Sequence, residues 1–343
     1  MVIICYNVLN CYFQGESMFN VYLSISPVLT VLIWVGVLIV VNLIGGLLFL
    51  MYVAKRVFDG TLVREDKNTW GYECSCPEDS EQMKMWDEGV LWAETNKNKM
   101  REVDITSRDG LRLHAEFYDF GGENAVIFLP GRCECLRYSC YFAKPYSEMG
   151  FSVLAIDVRC HGKSDGKFSS VGKGEGEDVL LWAEYLVREC GIKNIWLHGI
   201  CLGCAAAFVA TTDANCPREV RGIVAEGPYV TFRETYKQHL IQKKKPVWPL
   251  VDLIMARIKR KTGVDYREVA PIRLAAKHDR HILYIFGEKD QFSLPPKSRQ
   301  LFEVTKSATK KIVWLPEGTH SHLRVNNEKE YDNAIKEYIA NEK

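Results

Sequence analysis

A cysteine flanked by glycines has the clearest chemical setting in this sequence. Cys201 is the central residue of GICLG at 199–203, which follows a strand-like apolar run and precedes a helix-like run of small residues. A sharp turn from a strand into a helix exposes its central side chain and aims the helix N-terminus at it. A thiol at a helix N-terminus ionises readily, and the thiolate is a strong nucleophile. The pattern therefore predicts a nucleophilic cysteine at position 201.

Three other interpretations of this region are open. The literal Gly-x-Ser-x-Gly match, centred on Ser164, has no helix-like run after it, so we expect no nucleophile there. Cys201 and Cys204 have the Cys-x-x-Cys spacing of redox pairs, and their oxidation to a disulfide would switch the site off. An inert, buried cysteine in a degenerate site is the third interpretation.

The elements around this turn alternate between strands and helices. A hairpin is predicted over 101–120, with its turn at Asp109-Gly110. Helix-like runs separate the strand-like runs that follow, at 124–130, 151–157, 193–199, 220–227, 281–287 and 311–318. This alternation predicts an α/β fold with a mostly parallel sheet and helices on both faces. Such folds carry their sites at the carboxyl ends of the strands, and Cys201 directly follows one of them.

The start of the chain differs from the rest. No charged residue occurs from Ser17 to Ala54, and residues 28–53 are almost wholly apolar. About 20 such residues cross a bilayer as a helix. A buried helix of a soluble protein is the alternative, but the length of the run favours a transmembrane helix over residues 28–54.

The charges that flank this run predict its orientation. Lys55 and Arg56 follow it directly, whereas Glu16 is the charged residue that precedes it. Because the more basic flank of a span stays in the cytoplasm, we expect a single-pass protein of the cell membrane with a cytoplasmic catalytic domain. The predicted divisions are an N-terminal segment (1–27), the transmembrane helix (28–54), a juxtamembrane connector (55–100) and the catalytic domain (101–343).

Composition narrows the possible partners. The 44 Lys and Arg residues balance 43 Asp and Glu residues, so charge gives no reason to expect nucleic acid. The 12 cysteines are scattered and lack the spacing of a zinc site, so we expect reduced thiols and no metal.

Four ordered segments resemble the α/β-hydrolase superfamily over residues 101–343. Besides the turn at Cys201, DVRCHGKSDG at 157–166 is similar to that superfamily's Asp-x-Arg-Gly-His-Gly segment. FGEKDQ at 286–291 resembles its acid segment, and EGTHSH at 317–322 resembles its final histidine loop. The likeness extends to bacterial hydrolases with one N-terminal span, labelled serine aminopeptidase-like or esterase-like. The resemblance implies an α/β-hydrolase fold with a helical cap insertion.

Site residues follow from this resemblance position by position. Cys201 takes the place of the nucleophile, Asp290 that of the acid and His320 that of the base. His322 is the alternative base, and Glu226, at the end of another strand, is the alternative acid. The order of nucleophile, acid and histidine along the chain is the order that this fold uses.

The implied oxyanion donors are the backbone N–H groups of Leu202 and Arg132. The Arg132 side chain is a candidate contact for an anionic substrate, with solvent exposure as the alternative. The chain departs from the family by having cysteine at 201 in place of serine, and Cys160 and Cys204 in place of glycines. Cysteine nucleophiles do occur in this fold, as in dienelactone hydrolases, and they make acyl transfer through a thioester as natural as hydrolysis.

An insertion at about 228–270 occupies the position where this fold usually carries a cap over the site. Its basic residues are Lys243, Lys244, Lys245, Arg257, Lys259, Arg260 and Lys261, and they are interleaved with Trp248, Leu250, Leu253, Ile254 and Met255. This composition permits contact with anionic lipid headgroups, and a solvated helical face is the alternative.

Together these features predict a membrane-anchored α/β-hydrolase. It would cleave an ester, thioester or amide of a small-molecule or lipid-like acyl substrate through an acyl-enzyme on a Cys-His-Asp triad. The alternatives are an acyltransferase that uses a cysteine thioester, and a catalytically inactive binding protein with the same fold. We expect no metal or organic cofactor, and the sequence does not specify an oligomeric state.

Overall fold

The computed structural model describes residues 27–66, 68–307 and 309–342. The chain divides into two compact units, Met1–Tyr52 and Val53–Lys343. The predicted N-terminal segment, residues 1–27, lies outside the described residues except for Pro27. The described part of the first unit is helical, and it belongs to helix α1, Pro27–Leu62.

Helix α1 is long and apolar enough to cross a membrane. Its most apolar 18-residue window has a mean hydropathy of 2.7, and none of that window is buried. The helix continues past the predicted end at residue 54. In this continuation, which belongs to the second unit, Ala54, Phe58 and Leu62 recur every four residues and are buried. They form one apolar stripe within an apolar cluster of that unit.

The second unit is built on one eight-stranded sheet. Its order is β1-β2-β4-β3-β5-β6-β7-β8; β2 is antiparallel to both neighbours, and the strands from β4 to β8 are parallel. This is the predicted hairpin followed by a parallel sheet. The strands are β1 Met100–Thr106, β2 Arg112–Tyr118, β3 Asn124–Leu129, β4 Ser152–Ile156, β5 Asn194–Ile200, β6 Val220–Glu226, β7 His281–Gly287 and β8 Lys310–Leu315.

Helices cover both faces of the sheet. In β3, Ala125, Ile127 and Leu129 belong to one apolar core, whereas Val126 and Phe128 belong to the other. This alternation follows from the two-residue period of a strand. The remaining helices are α2 Ser80–Thr95, α3 Leu136–Tyr141, α4 Lys144–Glu148, α5 Lys173–Cys190, α6 Leu202–Thr212, α7 Phe232–Gln242, α8 Leu250–Thr262, α9 Pro271–Ala275, α10 Pro295–Val304, α11 Leu323–Asn326 and α12 Glu328–Asn341.

The segment between α1 and the sheet packs against the rest of the second unit. Helix α2 begins at Asp79, whose side chain accepts the N–H groups of Glu81 and Gln82. Its Trp92 ring lies 4.8 Å from Tyr118, centroid to centroid. Gly89 permits a close approach, because a Cβ there would lie 2.2 Å from the carbonyl oxygen of Arg137.

Helices α7, α8 and α9 lie between β6 and β7; α7 and α8 fall within the cap predicted at about 228–270, and α9 follows it. A third apolar cluster joins α7 and α8 to the last turns of α1. The same cluster reaches Leu202 and Cys201 at the start of α6. The cap therefore packs directly over the end of β5.

Candidate active site

Cys201 lies in a strained turn between β5 and α6. Its φ is 50° and its ψ is −103°, a conformation that side-chain-bearing residues rarely adopt. The two flanking glycines make this turn possible. A Cβ on Gly203 would lie 2.0 Å from the carbonyl oxygen of Leu129, and one on Gly199 would lie 2.7 Å from the nitrogen of Cys204. The cysteine is half-buried, so the turn presents its thiol at the surface of the site.

Asp290 and His320 form a hydrogen-bonded pair. His320 Nδ1 donates to Asp290 Oδ2 at 2.8 Å, since a carboxylate only accepts. The other oxygen of Asp290 accepts the N–H groups of Phe292 and Ser293, each at 2.8 Å. Burial opposes ionisation of Asp290, but the charge of His320 and these hydrogen bonds lower its pKa below the ordinary value. The carboxylate thereby fixes the tautomer and the orientation of the imidazole.

The second ring nitrogen of His320 has no fixed hydrogen-bond partner. Nε2 is buried and has no hydrogen-bond partner among the described residues, and the side chain is 10% exposed. Burial would lower the pKa of His320, but Asp290 and the neighbouring Cys201 outweigh it and raise the pKa well above its ordinary value. The structure therefore brings Cys201, His320 and Asp290 into one electrostatic group.

The alternative base and the alternative acid have other partners. His322 lies against α2, with Nε2 donating to Gln82 Oε1 at 2.8 Å and Nδ1 3.2 Å from Thr319 Oγ1. Glu226 is buried at the end of β6 and accepts a hydrogen bond from the Tyr331 hydroxyl. Burial raises the pKa of Glu226 to about 7. His320 therefore donates its Nδ1 hydrogen bond to Asp290 and not to Glu226.

The loop after β3 is held in a shape that leaves one N–H group free. Gly131 N–H donates to Glu134 Oε2 at 2.9 Å, and Cys133 N–H donates to His161 Nε2 at 3.1 Å. His161 can accept because burial lowers its pKa to about 4, so the ring is neutral. Between these two groups, the N–H of Arg132 has no acceptor within the described parts of the chain. Leu202, the other predicted oxyanion donor, is the first residue of α6.

Ser164 and Cys204 lie in the interior. Ser164 Oγ donates to the carbonyl oxygen of Asp157 at 2.6 Å and accepts the N–H of His114 at 2.8 Å, so it stabilises the loop after β4. The Cys204 thiol is fully buried and lies 3.0 Å from the carbonyl oxygen of Gly199. Burial raises the pKa of Cys204 well above its ordinary value.

Several residues of the site were not predicted from the sequence. Gly227, with φ of 54°, lies behind the His320 ring, and Phe292 contacts that ring at a centroid distance of 5.4 Å. Tyr229 has a buried hydroxyl without a partner in the described structure. A glycine directly after a strand, as in the EGP at 226–228, was the available signal for Gly227.

One cluster of metal-ligand types lies away from this site. Ligand atoms of Glu102, His114 and Glu116 lie within 4.8 Å of one another. Both oxygens of Glu116 accept hydrogen bonds from Arg137, and Glu102 pairs with Lys163 at 2.6 Å. These cations already neutralise the carboxylates, so we assign no metal to the cluster.

Comparison with known proteins agrees with this architecture. Residues 124–281 match a family model described as alpha/beta hydrolase fold. The uncharacterized protein YqkD of Bacillus subtilis is 25% identical over 220 residues, which cover 64% of this chain and 72% of YqkD. Protein bem46 of Schizosaccharomyces pombe is 27% identical over 51% of this chain and 54% of its own length. The match thus spans about half of bem46.

Solved structures show the same fold. The esterase Pf2001 of Pyrococcus furiosus has a TM-score of 0.59 at 20% identity, covering 73% of this chain and 95% of its own. An alpha-beta hydrolase from Vibrio vulnificus has a TM-score of 0.54 at 19% identity, covering 80% and 92%. The chain therefore has the α/β-hydrolase fold. The family model and these neighbours support the α/β-hydrolase superfamily, within which the curated relatives are distant.

Proposed function

We propose that this protein is a membrane-anchored hydrolase that cleaves an acyl ester, thioester or amide through a covalent acyl-enzyme on Cys201. The observation that carries the proposal is the Asp290–His320 pair, whose free Nε2 shares an electrostatic environment with Cys201. Buried polar atoms are normally hydrogen-bonded, and a catalytic role is one explanation for an unpartnered one. Glu226 Oε1 and the Tyr229 hydroxyl are further such atoms next to this group.

In the proposed reaction, His320 Nε2 accepts the thiol proton while the Cys201 sulfur bonds to the acyl carbonyl carbon. The carbonyl oxygen becomes an oxyanion that the N–H groups of Leu202 and Arg132 stabilise. Collapse of this intermediate breaks the bond to the leaving group, which takes the proton from His320. Water then attacks the thioester, gives its proton to His320, and releases the acid and the thiol. Asp290 orients the imidazole throughout.

Labelling with a thiol-directed activity probe tests the nucleophile. We expect Cys201→Ala to abolish labelling. Cys204→Ala should keep the wild-type amount of label per folded molecule. Serine-directed fluorophosphonate labelling of the wild type would instead point to a serine. A wild type that neither probe labels would favour a binding protein.

Acyl acceptors separate hydrolysis from transfer. The thioester formed on Cys201 is itself an acyl donor, so an added alcohol, amine or thiol could compete with water. Product analysis at rising concentrations of each acceptor measures how the acyl group divides between water and the acceptor. Capture by an acceptor faster than by water would assign the protein as an acyltransferase.

Membrane attachment through α1 and part of the cap belongs to the same proposal. Trp248 is 79% exposed and Ile241 is 44% exposed on the cap, and Lys243, Lys244 and Lys245 between them are exposed. Leu250, Ile254 and Met255 are buried in the third apolar cluster. Residues 241–248, which include the loop after α7, therefore offer exposed apolar and basic side chains together, and Lys259, Arg260 and Lys261 at the end of α8 are exposed as well. From the basic flank of α1 we place the catalytic domain in the cytoplasm.

Arg257, which the sequence grouped with this basic surface, has an internal contact. Its guanidinium lies 3.9 Å from Asp59 and 5.5 Å from the centre of the Phe58 ring. It therefore helps to join α8 to the last turns of α1, and it offers less to a headgroup than the lysines do.

Quenching by brominated lipids tests the loop in the full-length protein. We expect brominated phosphatidylglycerol to quench wild-type fluorescence more than that of Trp248→Phe. Replacing Lys243, Lys244 and Lys245 with Gln should reduce this difference. Equal quenching of wild type and Trp248→Phe would contradict membrane contact by the loop.

A further inference from the structure

Arg132 is a half-buried cation without a carboxylate partner. Arg159 and Arg324 are buried and pair with carboxylates, Asp178 and Asp332, each at 2.7 Å. Arg280, half-buried like Arg132, instead donates to three backbone carbonyl oxygens. No acidic side chain in the described ranges lies within 4.0 Å of the Arg132 guanidinium. Removing a cation from water is costly unless an anion compensates for it.

The contacts of Arg132 use one of its terminal nitrogens. Nη1 donates to the carbonyl oxygen of Thr61 at 3.4 Å and lies 3.3 Å from the Cys133 sulfur. The Nε and Nη2 donors have no acceptor among the described residues. The guanidinium is thus held at one corner, and its remaining donors can contact a ligand.

Glu134, two residues further along the chain, makes its hydrogen bonds to other groups. Glu134 is buried and directs its oxygens to the N–H of Gly131 and to Gln82. Burial raises the pKa of Glu134, although the charge of Arg132 acts to lower it. On the cap side, burial and then the charge of Arg132 lower the pKa of His239 to about 3, so that ring stays neutral. The Arg132 guanidinium therefore has no ion-pair partner among the described residues.

The position of Arg132 connects this charge to the proposed reaction. Its own N–H group is a proposed oxyanion donor, so the guanidinium lies within one side-chain length of the acyl carbonyl. We propose that the substrate carries an anionic group, a carboxylate or a phosphate, that binds the Arg132 guanidinium. The planar fork of arginine suits both groups. This inference rests on the proposed acyl-transfer site.

The anionic group could come from a lipid headgroup or from a soluble ester. Two matched substrate pairs distinguish these sources. The lipid pair is a lysophosphatidate and the monoacylglycerol with the same chain. The soluble pair is p-nitrophenyl hemiglutarate and p-nitrophenyl valerate. For each pair, kcat/KM is measured with the full-length protein in detergent micelles, and the ratio of anionic to neutral substrate is the readout.

We expect the wild type to favour the anionic member of at least one pair. Arg132→Gln should reduce that ratio about 10- to 100-fold, mainly through KM, because a charge-assisted hydrogen bond is lost. Arg132→Lys should retain part of the preference. Arg233→Gln, which removes a cation already paired with Asp252 at 2.9 Å, should leave the ratio unchanged. A wild type without preference in either pair, or equal ratios in wild type and Arg132→Gln, would overturn the inference.

A binding measurement separates this inference from the proposed chemistry. Calorimetric titration of Cys201→Ala with dodecyl phosphate requires no turnover. Binding that is present in Cys201→Ala and absent in the double variant Cys201→Ala/Arg132→Gln supports the anion site. If no ester is cleaved in that case, the proposed hydrolysis alone fails. Binding unaffected by Arg132→Gln, or no binding at all, counts against the anion site whatever the activity.

Discussion

Gly227 lies directly behind the imidazole of His320. A Cβ at this position would approach both Nδ1 and Cε1 of the ring to 3.3 Å, and it would lie 3.6 Å from Asp290 Oδ2. The carbonyl oxygen of Gly227 accepts the Ser293 hydroxyl at 2.8 Å. The end of β6 therefore sets the position of the ring, while Asp290 sets its tautomer.

Gly227→Ala is predicted to impair catalysis more than folding. The φ of 54° costs an alanine about 1 kcal/mol of stability. The added methyl also displaces the ring, so we expect kcat to fall about 10-fold or more with KM little changed. Steady-state kinetics and thermal unfolding of the same variant check both parts. A variant with wild-type kcat would show that the ring position tolerates the methyl group.

Asp290→Asn is predicted to destabilise the protein in a pH-dependent way. The pKa of His320 is raised above 6.5. The contribution of His320 to the free energy of unfolding is therefore fully present below about pH 6.5 and is lost as pH rises through the raised pKa. The pKa of Asp290 is lowered from 3.8, so its contribution is lost as pH falls through the lowered pKa. The loss of unfolding free energy in Asp290→Asn should therefore be largest between about pH 4 and 6.5, at roughly 3 kcal/mol. This loss should shrink at alkaline pH.

Unfolding of wild type and Asp290→Asn across this pH range measures the deficit. Asp252→Asn is the matched control, because it removes an exposed carboxylate that pairs with Arg233, and such pairs contribute about 1 kcal/mol or less. A deficit that does not vary with pH in Asp290→Asn would contradict the charged pair.

Ser164→Ala is predicted to lower stability and to retain activity. Its hydroxyl makes two buried hydrogen bonds, and leaving their partners unsatisfied costs about 1–3 kcal/mol. Activity per folded molecule should stay within about twofold of wild type, since Ser164 touches no group of the proposed triad. Loss of activity in correctly folded Ser164→Ala would restore the Gly-x-Ser-x-Gly match as a site.

Native alkylation should distinguish the two cysteines of the turn. Cys201 is half-buried at the site, whereas Cys204 is fully buried. We expect iodoacetamide to modify Cys201 in the folded protein and Cys204 only after denaturation, as measured by peptide mass spectrometry. Modification of both at similar rates would mean that the start of α6 opens in solution.

The sequence predicts local features of this molecule better than distant contacts. The turn at Cys201 could be predicted because its glycines and flanking elements are contiguous. The alternation of strands and helices likewise gave the fold. The four-residue spacing of Ala54, Phe58 and Leu62 was a visible signal for the extension of α1.

Contacts between distant segments had no comparable signal. The hydrogen bonds that join His322, Gln82 and Glu134 connect α2 to two loops more than 50 residues away. Their pairing depends on how α2 packs, which no local pattern encodes. The roles of Asp290 and His320 were predicted from the family resemblance and not from spacing. No physical rule fixes the number of residues between an acid and a base that meet in the folded chain.

Mass spectrometry of the acyl-enzyme tests the central claim most directly. The full-length protein is mixed with p-nitrophenyl acetate, quenched in acid within the first turnovers and digested. We predict one acetyl group on the peptide that contains Cys201, absent in Cys201→Ala and formed more slowly in His320→Gln. Acetylation of a serine peptide instead, or substrate turnover by Cys201→Ala at the wild-type rate, would contradict a cysteine nucleophile.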